Sequence, residues 1–277
     1  MRIAIIGNND GPERLAAALA DGSHEVVLVG LQKGARTREQ STVPDEQSLE
    51  QAITGLKVDL IINCFANFRY RYLHQTYSIL NVHLAPLPRY RGRHPLQWAL
   101  INGESTFGAT IHTITDDYDA GPIYWRGELP VQNGWSARQL REAMLQLVET
   151  NITGVLDAYP TADPIPNNPA EATYVTRRNP EDSMIGDWSD RDKVYRTVHA
   201  LREDEHPAFA RTTGTEKVVF TGAQPGTRRF VGFVTGTVVG KTGQQIEVVC
   251  EDGRTLFLEV SPDSPHLPST NDNLIAW

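Results

Sequence analysis

The sequence predicts an α/β chain in which a doubly wound domain is followed by a small β-barrel-like domain. Three observations carry that reading. Strand-like and helix-like hydrophobic periods alternate through the first half of the chain, a proline-rich stretch interrupts them, and short alternating runs punctuated by glycine fill the last third. A length of 277 residues suits one large and one small domain.

Taken in order, residues 3–7, 12–20 and 25–30 read as strand, helix and strand, the way a doubly wound sheet begins. The turn Gly7-Asn8-Asn9-Asp10-Gly11 lacks the G-x-G-x-x-G spacing, so no dinucleotide site is expected. Residues 47–57 read as a helix, and 58–65, almost continuously apolar, as a strand buried on both faces. After a helix around 70–77, residues 78–83 form a strand whose two-residue period puts Ile79, Asn81 and His83 on one face. Residues 84–95 are a loop stiffened by Pro86, Pro88 and Pro95, the last suited to the first turn of the next helix. Strands at 109–115 and 123–131 flank the polar turn Asp116-Asp117-Tyr118-Asp119-Ala120-Gly121, and a long helix runs from 136 to about 159. Residues 160–187, with Pro160, Pro164, Pro166, Pro169 and Pro180, have linker composition, which puts one domain at 1–180 and a second at 181–277. In the second, a helix at 191–201 precedes strands at 217–220, 232–240, 245–251 and 255–260, an OB-like antiparallel barrel.

Composition narrows the function classes. A formal net charge of -8 without a basic stripe weighs against nucleic acid, and from residue 181 onward 15 acids face 10 lysines and arginines. No run approaches the ~20 apolar residues that span a bilayer, and the first residues do not read as a signal sequence, so no membrane association and a cytoplasmic location are expected. Cys64 and Cys250 lie far apart and the histidines show no metal-ligand spacing, so no metal is expected.

Asn81, His83 and Asp119 are the candidate constellation. When an amine attacks an acyl carbon, negative charge grows on the carbonyl oxygen, where Asn81 and a donating His83 could stabilise it. The attacking nitrogen must also lose a proton, to Asp119 or to His83, and Asp119 could fix the orientation of the imidazole. Taken alone, each of the three is more often a structural residue.

Their context is more specific. The run Asn81-Val82-His83-Leu84-Ala85-Pro86-Leu87-Pro88-Arg89-Tyr90-Arg91-Gly92-Arg93-His94-Pro95-Leu96-Gln97-Trp98-Ala99-Leu100, followed by Gly108-Ala109-Thr110-Ile111-His112 and Asp119-Ala120-Gly121-Pro122-Ile123, closely resembles the signature of the folate-dependent formyltransferase family. The resemblance continues through residues 174–188 and is thin before residue 58 and after 200. It implies a Rossmann-like catalytic domain, Asn81, His83 and Asp119 as the catalytic triad, and N10-formyltetrahydrofolate as the one-carbon donor. By the same likeness Phe65, Ala66 and Asn67, with Thr115, Asp116, Asp117 and Tyr118, line the pterin pocket. Ala85 and Pro86 depart from the serine and leucine of many relatives, which removes hydrogen bonds those loops make.

For the acceptor, Arg93 is the favoured phosphate-binding residue, because Arg91-Gly92-Arg93 resembles the bacterial aminoarabinose-nucleotide formyltransferases; Arg91 and His94 stand beside it, Arg91 with a loop-bracing role as the plainer reading. His112, Tyr90, Trp98, Tyr118 and Trp125 are read first as packing residues. The acidic second domain favours an amino-sugar nucleotide as substrate. Methionyl-tRNA, a small amine, and water, as in formyltetrahydrofolate hydrolases, are the alternatives, and a binding module without catalysis is the third class. Antiparallel edges in the barrel permit a homodimer.

Overall fold

The residues Leu60-Ile61-Ile62-Asn63-Cys64 are all buried, which a strand achieves only with a partner on each side and packing on both faces. They are the middle strand of a seven-stranded sheet in a computed structural model that describes residues 1–34, 40–159 and 161–275. Pro160 of the expected linker lies outside the described residues. The chain forms two compact units: Met1–Pro95, Thr106–Leu129 and Glu142–Val175 make the first, and Leu96–Ser105, Pro130–Arg141 and Thr176–Trp277 the second.

In chain order the elements are β1 (Arg2–Gly7), α1 (Gly11–Ala18), β2 (Glu25–Leu31), β3 (Gln40–Thr42), α2 (Glu46–Ile53), β4 (Leu60–Cys64), α3 (Leu73–Thr76), β5 (Ser78–His83), β6 (Arg91–Gly92), α4 (Pro95–Asn102), β7 (Thr106–Thr113), β8 (Ile123–Pro130), α5 (Ala137–Ala158) and β9 (Tyr174–Val175). The large sheet has the order β3-β2-β1-β4-β5-β7-β8. Its pairings are parallel from β3 through β5 and turn antiparallel at β5 and β7. This is the doubly wound, Rossmann-like architecture the sequence predicts, with an antiparallel margin.

One face of the sheet presents Ala4, Ile6, Ile61 and Ile79 to Leu49 and Ile53 of α2, to Leu73 and to the buried ring of Tyr70. Helix α2 starts there because the Asp45 side chain accepts the Ser48 amide at 2.8 Å, and α1 carries Pro12 in its first turn. The buried Glu46 carboxylate accepts the amides of Arg71, Tyr72 and Leu73 at 2.8, 3.0 and 2.8 Å, which anchors the segment that seats Tyr70. In α5 the buried residues Leu140, Met144, Val148, Ile152 and Leu156 recur every fourth position, the stripe of an amphipathic helix.

In the second unit α6 (Arg191–Leu201) is capped by Asp190, which accepts the Lys193 amide at 2.9 Å. The six-stranded sheet that follows has β10 (Phe209–Thr212), β11 (Lys217–Arg229), β12 (Val238–Thr242), β13 (Gln245–Val249), β14 (Arg254–Val260) and β15 (Leu274–Ile275) in the order β12-β13-β14-β11-β10-β15. It curls until its ends meet: Thr237 bridges Asn273, Val238 donates to Asp272 at 2.9 Å, and Asn271 donates to Val238 at 2.8 Å. That closure is the barrel-like end the sequence predicts. The strand expected at 232–240 begins only at Val238. Residues ahead of it form a loop in which Val231 is fully exposed and Gly236 takes φ +83°, so the apolar letters there do not alternate against a core. Strands β10 and β15 were not evident in the sequence, being four and two residues long.

Glu247 on β13 is buried, yet its carboxyl is held below the ordinary range. Burial pushes it up, and the hydrogen bonds from Arg228 and from Thr255, the latter at 2.6 Å, outweigh that push. A carboxylate depressed in the fold stabilises above its unfolded value and loses that contribution as pH falls through the folded value. Arg228→Met is therefore expected to lower stability at neutral pH by leaving the buried carboxylate without its cation. Thermal melts should show the gap from wild type closing as pH drops below the carboxylate range.

Candidate active site

The carboxyl end of the parallel strands is where an open α/β sheet presents ligand-binding groups. Here the register sets a polar row across three strands: Asn63 on β4 lies beside Asn81 on β5, and Asn81 beside His112 on β7. Asn63 Nδ2 donates to Asn81 Oδ1 at 2.7 Å, Asn81 Nδ2 meets His112 Nε2 at 3.0 Å, and the Tyr70 hydroxyl donates to Asn63 Oδ1 at 3.2 Å. His112 Nδ1 lies 2.8 Å from the Thr113 carbonyl, which can only accept. Burial keeps this ring neutral by pushing its pKa down to about 4, against the upward pull of Asp119. The neutral ring thus carries its proton on Nδ1 and offers a lone pair at Nε2 to Asn81.

His83 emerges two residues after Asn81, as period 2 requires, and is buried. Its Nε2 donates to the Tyr90 carbonyl at 3.0 Å, so in the neutral ring Nδ1 bears the lone pair. Asp119 Oδ1 stands 3.6 Å from that nitrogen. Both atoms are acceptors in these states, and an N–H-bearing group set to one side of the line joining them can reach either. Asp119 Oδ1 is also 3.7 Å from His112 Nε2, but that lone pair is already occupied by Asn81, so no hydrogen bond joins them.

The loop from 84 to 95 places Asp119. Its start is held by Thr110, whose hydroxyl donates to Ala85 O at 2.7 Å and accepts from the Leu87 amide at 3.1 Å. A cis Leu87–Pro88 bond follows. Gly92 then takes φ +108°, and its amide donates to Asp119 Oδ2 at 2.9 Å. A Cβ at Gly92 would lie 2.3 Å from the Val175 carbonyl, because β6 runs parallel to β9 there. Asn167 donates to the carbonyls of Asp119 and Gly121, both at 2.9 Å, and fixes the turn in which Asp119 has φ +52°.

Of the predicted substrate-binding residues, Arg91 is buried, and its guanidinium is held by Asn167 Oδ1 at 2.5 Å and reaches the Tyr174 hydroxyl at 3.4 Å. That is a bracing role within the loop. Arg93 is exposed and has no hydrogen-bonding or ionic partner among the described residues, while His94 is half-buried with φ +60°.

Among the pterin candidates, Phe65 has φ +72°, its carbonyl accepts Asn8 Nδ2 at 2.9 Å, and Ala66 beside it is half-buried. The Asn67 amide donates to Gln32 at 2.8 Å, and Asn8 Oδ1 nearby is buried without a partner. Thr115, Asp116, Asp117 and Tyr118 are exposed. His74 lies 3.2 Å from the Asp116 carboxylate, Arg69 stacks over the Tyr118 ring, and Thr115 donates to Asp117 O. Among the described residues no group of three or more His, Cys, Asp or Glu side chains could hold a metal ion. Sequence reasoning passed over Asn63 and Tyr70; an asparagine inside an otherwise apolar five-residue strand was the available signal.

Residues 1–156, more than half of the chain, match the formyl transferase family. The chain belongs to that family. This formyl transferase family member is 36% identical over 114 residues to the methionyl-tRNA formyltransferase of Deinococcus radiodurans, an alignment covering 41% of the chain and 36% of the relative. HypX from Aquifex aeolicus, solved in complex with tetrahydrofolic acid, shares 23% identity at a TM-score of 0.69 over 97% of this chain and 46% of that one. An N-formyltransferase from Helicobacter canadensis, in complex with folinic acid and dTDP-3-aminofucose, shares 16% at a TM-score of 0.68 over 94% and 99%. The two structural likenesses are of fold. The match spans 36% of the first of these relatives and 46% of the second.

Gly92→Ala is expected to lower stability by about 2 kcal/mol or more, since a side chain at that φ is strained and its Cβ meets a carbonyl. A thermal melt checks this, and a melt unchanged from wild type would contradict the geometry.

Proposed function

We propose that the chain transfers a formyl group from N10-formyltetrahydrofolate to the amine of an amino-sugar nucleotide. The observation that carries the reading is the convergence of His83 Nδ1 and Asp119 Oδ1 on one point, 3.6 Å apart, beside an amide donor at Asn81. Two acceptors suit the N–H groups of an incoming amine, and the donor suits an oxygen that gains negative charge.

The residues fit a reduced folate. The buried, unpartnered Asn8 Oδ1 beside Phe65–Asn67 can accept an N–H, and the exposed turn at 115–118 offers backbone groups. The folate supplies an activated formyl carbon: a carbon–nitrogen bond to the acceptor forms, the bond to folate N10 breaks, and N10 takes up the proton the amine gives up. His83 Nδ1 is placed to remove that proton and return it, with Asp119 stabilising the charged ring between the two transfers. His83 is a poor oxyanion donor in its neutral form, because its single proton is committed to Tyr90, which leaves Asn81 with that task. The Gly92 amide keeps Asp119 oriented throughout.

Support for a nucleotide-linked acceptor comes from Arg93, a free cation at the loop's end suited to a diphosphate, and from the acidity of residues 181–277, which disfavours tRNA. The solved relative holding dTDP-3-aminofucose agrees with it, while the similarity to a methionyl-tRNA formyltransferase favours tRNA as the second reading.

The test is formyl transfer from N10-formyltetrahydrofolate to a panel of 3-amino and 4-amino nucleotide sugars, with methionyl-tRNA and no acceptor as the other arms. Turnover with a sugar is expected; turnover only with tRNA, or formate release alone, would overturn the acceptor assignment. His83→Ala and Asp119→Asn should each lower kcat about 100-fold or more with the fold intact by circular dichroism. Arg93→Ala should raise KM for the nucleotide sugar about 10-fold and leave that for the folate unchanged.

A further inference from the structure

The polar row at the site has a direction, and one end of it sets that direction. The Thr113 carbonyl accepts from His112 Nδ1 at 2.8 Å, so the neutral, buried ring must accept at Nε2. Asn81 must then present its NH2 side to His112, at 3.0 Å, and its oxygen to Asn63. Asn63 in turn gives its NH2 to Asn81 at 2.7 Å and its oxygen to the Tyr70 hydroxyl at 3.2 Å. Burial, then the nearby Glu46, raises the Tyr70 pKa, so the hydroxyl keeps the proton it donates. Gly121 leaves room for the terminal carbonyl, since a Cβ there would lie 2.0 Å from Thr113 O.

We propose that Asn63, Tyr70 and His112 are positioning residues that lock the Asn81 amide with its nitrogen toward the reacting carbonyl oxygen. Asn81 spends one N–H on His112 and its oxygen on Asn63, which leaves its second N–H for the substrate. A reversed amide would set a carbonyl oxygen against an oxygen gaining negative charge and turn attraction into repulsion. In water a primary amide turns freely. Here reversal needs Asn63 and His112 to change with it, in a buried site where each unpaired group is costly. The groups facing His112 are Asp119, His83 and Arg91, and none supplies an alternative hydrogen bond to Nε2.

This inference rests on the formyl-transfer reading for its kinetic arm and not for its spectroscopic one. Asn63→Asp replaces a donor by an acceptor and forces Asn81 to turn. The turned oxygen then faces His112 Nε2, which must take a proton. Asn63→Leu removes the partner without demanding reversal. Two-bond 15N–1H correlation of the histidine ring should show Nδ1–H for His112 in wild type and Asn63→Leu, and a proton on Nε2 in Asn63→Asp. With substrate, Asn63→Asp should lose about 100-fold in kcat with KM within about twofold, and Asn63→Leu about 10-fold or less. A wild-type ring protonated at Nε2, or Asp and Leu variants alike in both kcat and tautomer, overturns the proposal. Should Asn63→Asp not fold, the wild-type spectrum and a fall in kcat without a rise in KM for Tyr70→Phe decide it, and unchanged kcat in Tyr70→Phe counts against it. No activity with any acceptor would remove the formyl-transfer reading and leave the tautomer result standing.

Discussion

The hydrogen bond from the Gly92 amide to the Asp119 carboxylate ties the two irregular segments of the site to one another. The loop after β5 and the turn after β7 each have their own supports, Thr110 for one and Asn167 for the other. The Gly92 bond joins them directly, and Asn167 joins them again by holding Arg91 of the loop as well as the turn. Their spacing decides how far Asp119 stands from His83, whose own proton is fixed by the carbonyl two residues before Gly92. A few backbone groups at unusual dihedrals thereby govern the separation of two titratable side chains.

Burial has opposite uses at the two histidines. His112 is enclosed and hydrogen-bonded on both nitrogens, so its charge state is settled by desolvation. His83 is also enclosed, but its second nitrogen lies 3.6 Å from the Asp119 carboxylate, beyond a hydrogen bond. A neutral ring bonded at both nitrogens can hold an amide steady, and the reaction proposed above gives the proton transfer to the ring that has a nitrogen without a partner among the described residues. Neighbouring strands of one sheet supply both.

Much of this was legible in the sequence because it depended on local pattern. Period 2 put Asn81 and His83 on one face, the proline spacing marked the loop, and the D-x-G turn marked Asp119. Asn63 was hidden because its place beside Asn81 follows from strand register, which joins residues 18 apart that no local window compares. Arg91 as loop brace and Arg93 as the phosphate candidate were already distinguished in the sequence by resemblance, and the structure adds that the first is buried where β6 pairs with β9 while the second is exposed. In the second unit, glycine and exposure in the loop at 230–236 broke an alternation that composition alone suggested.

The two compact units are interleaved along the chain, since residues 96–105 and 130–141 belong with the second although most of it comes after residue 175. Neither unit can therefore be separated by a single cut. During synthesis, at about 5–20 residues per second, those two segments leave the ribosome before most of the strands they accompany have been made. Residues 106–129 of the first unit are made between the two. A chain that ended after residue 175 would therefore carry every residue of the first unit together with two pieces of the second.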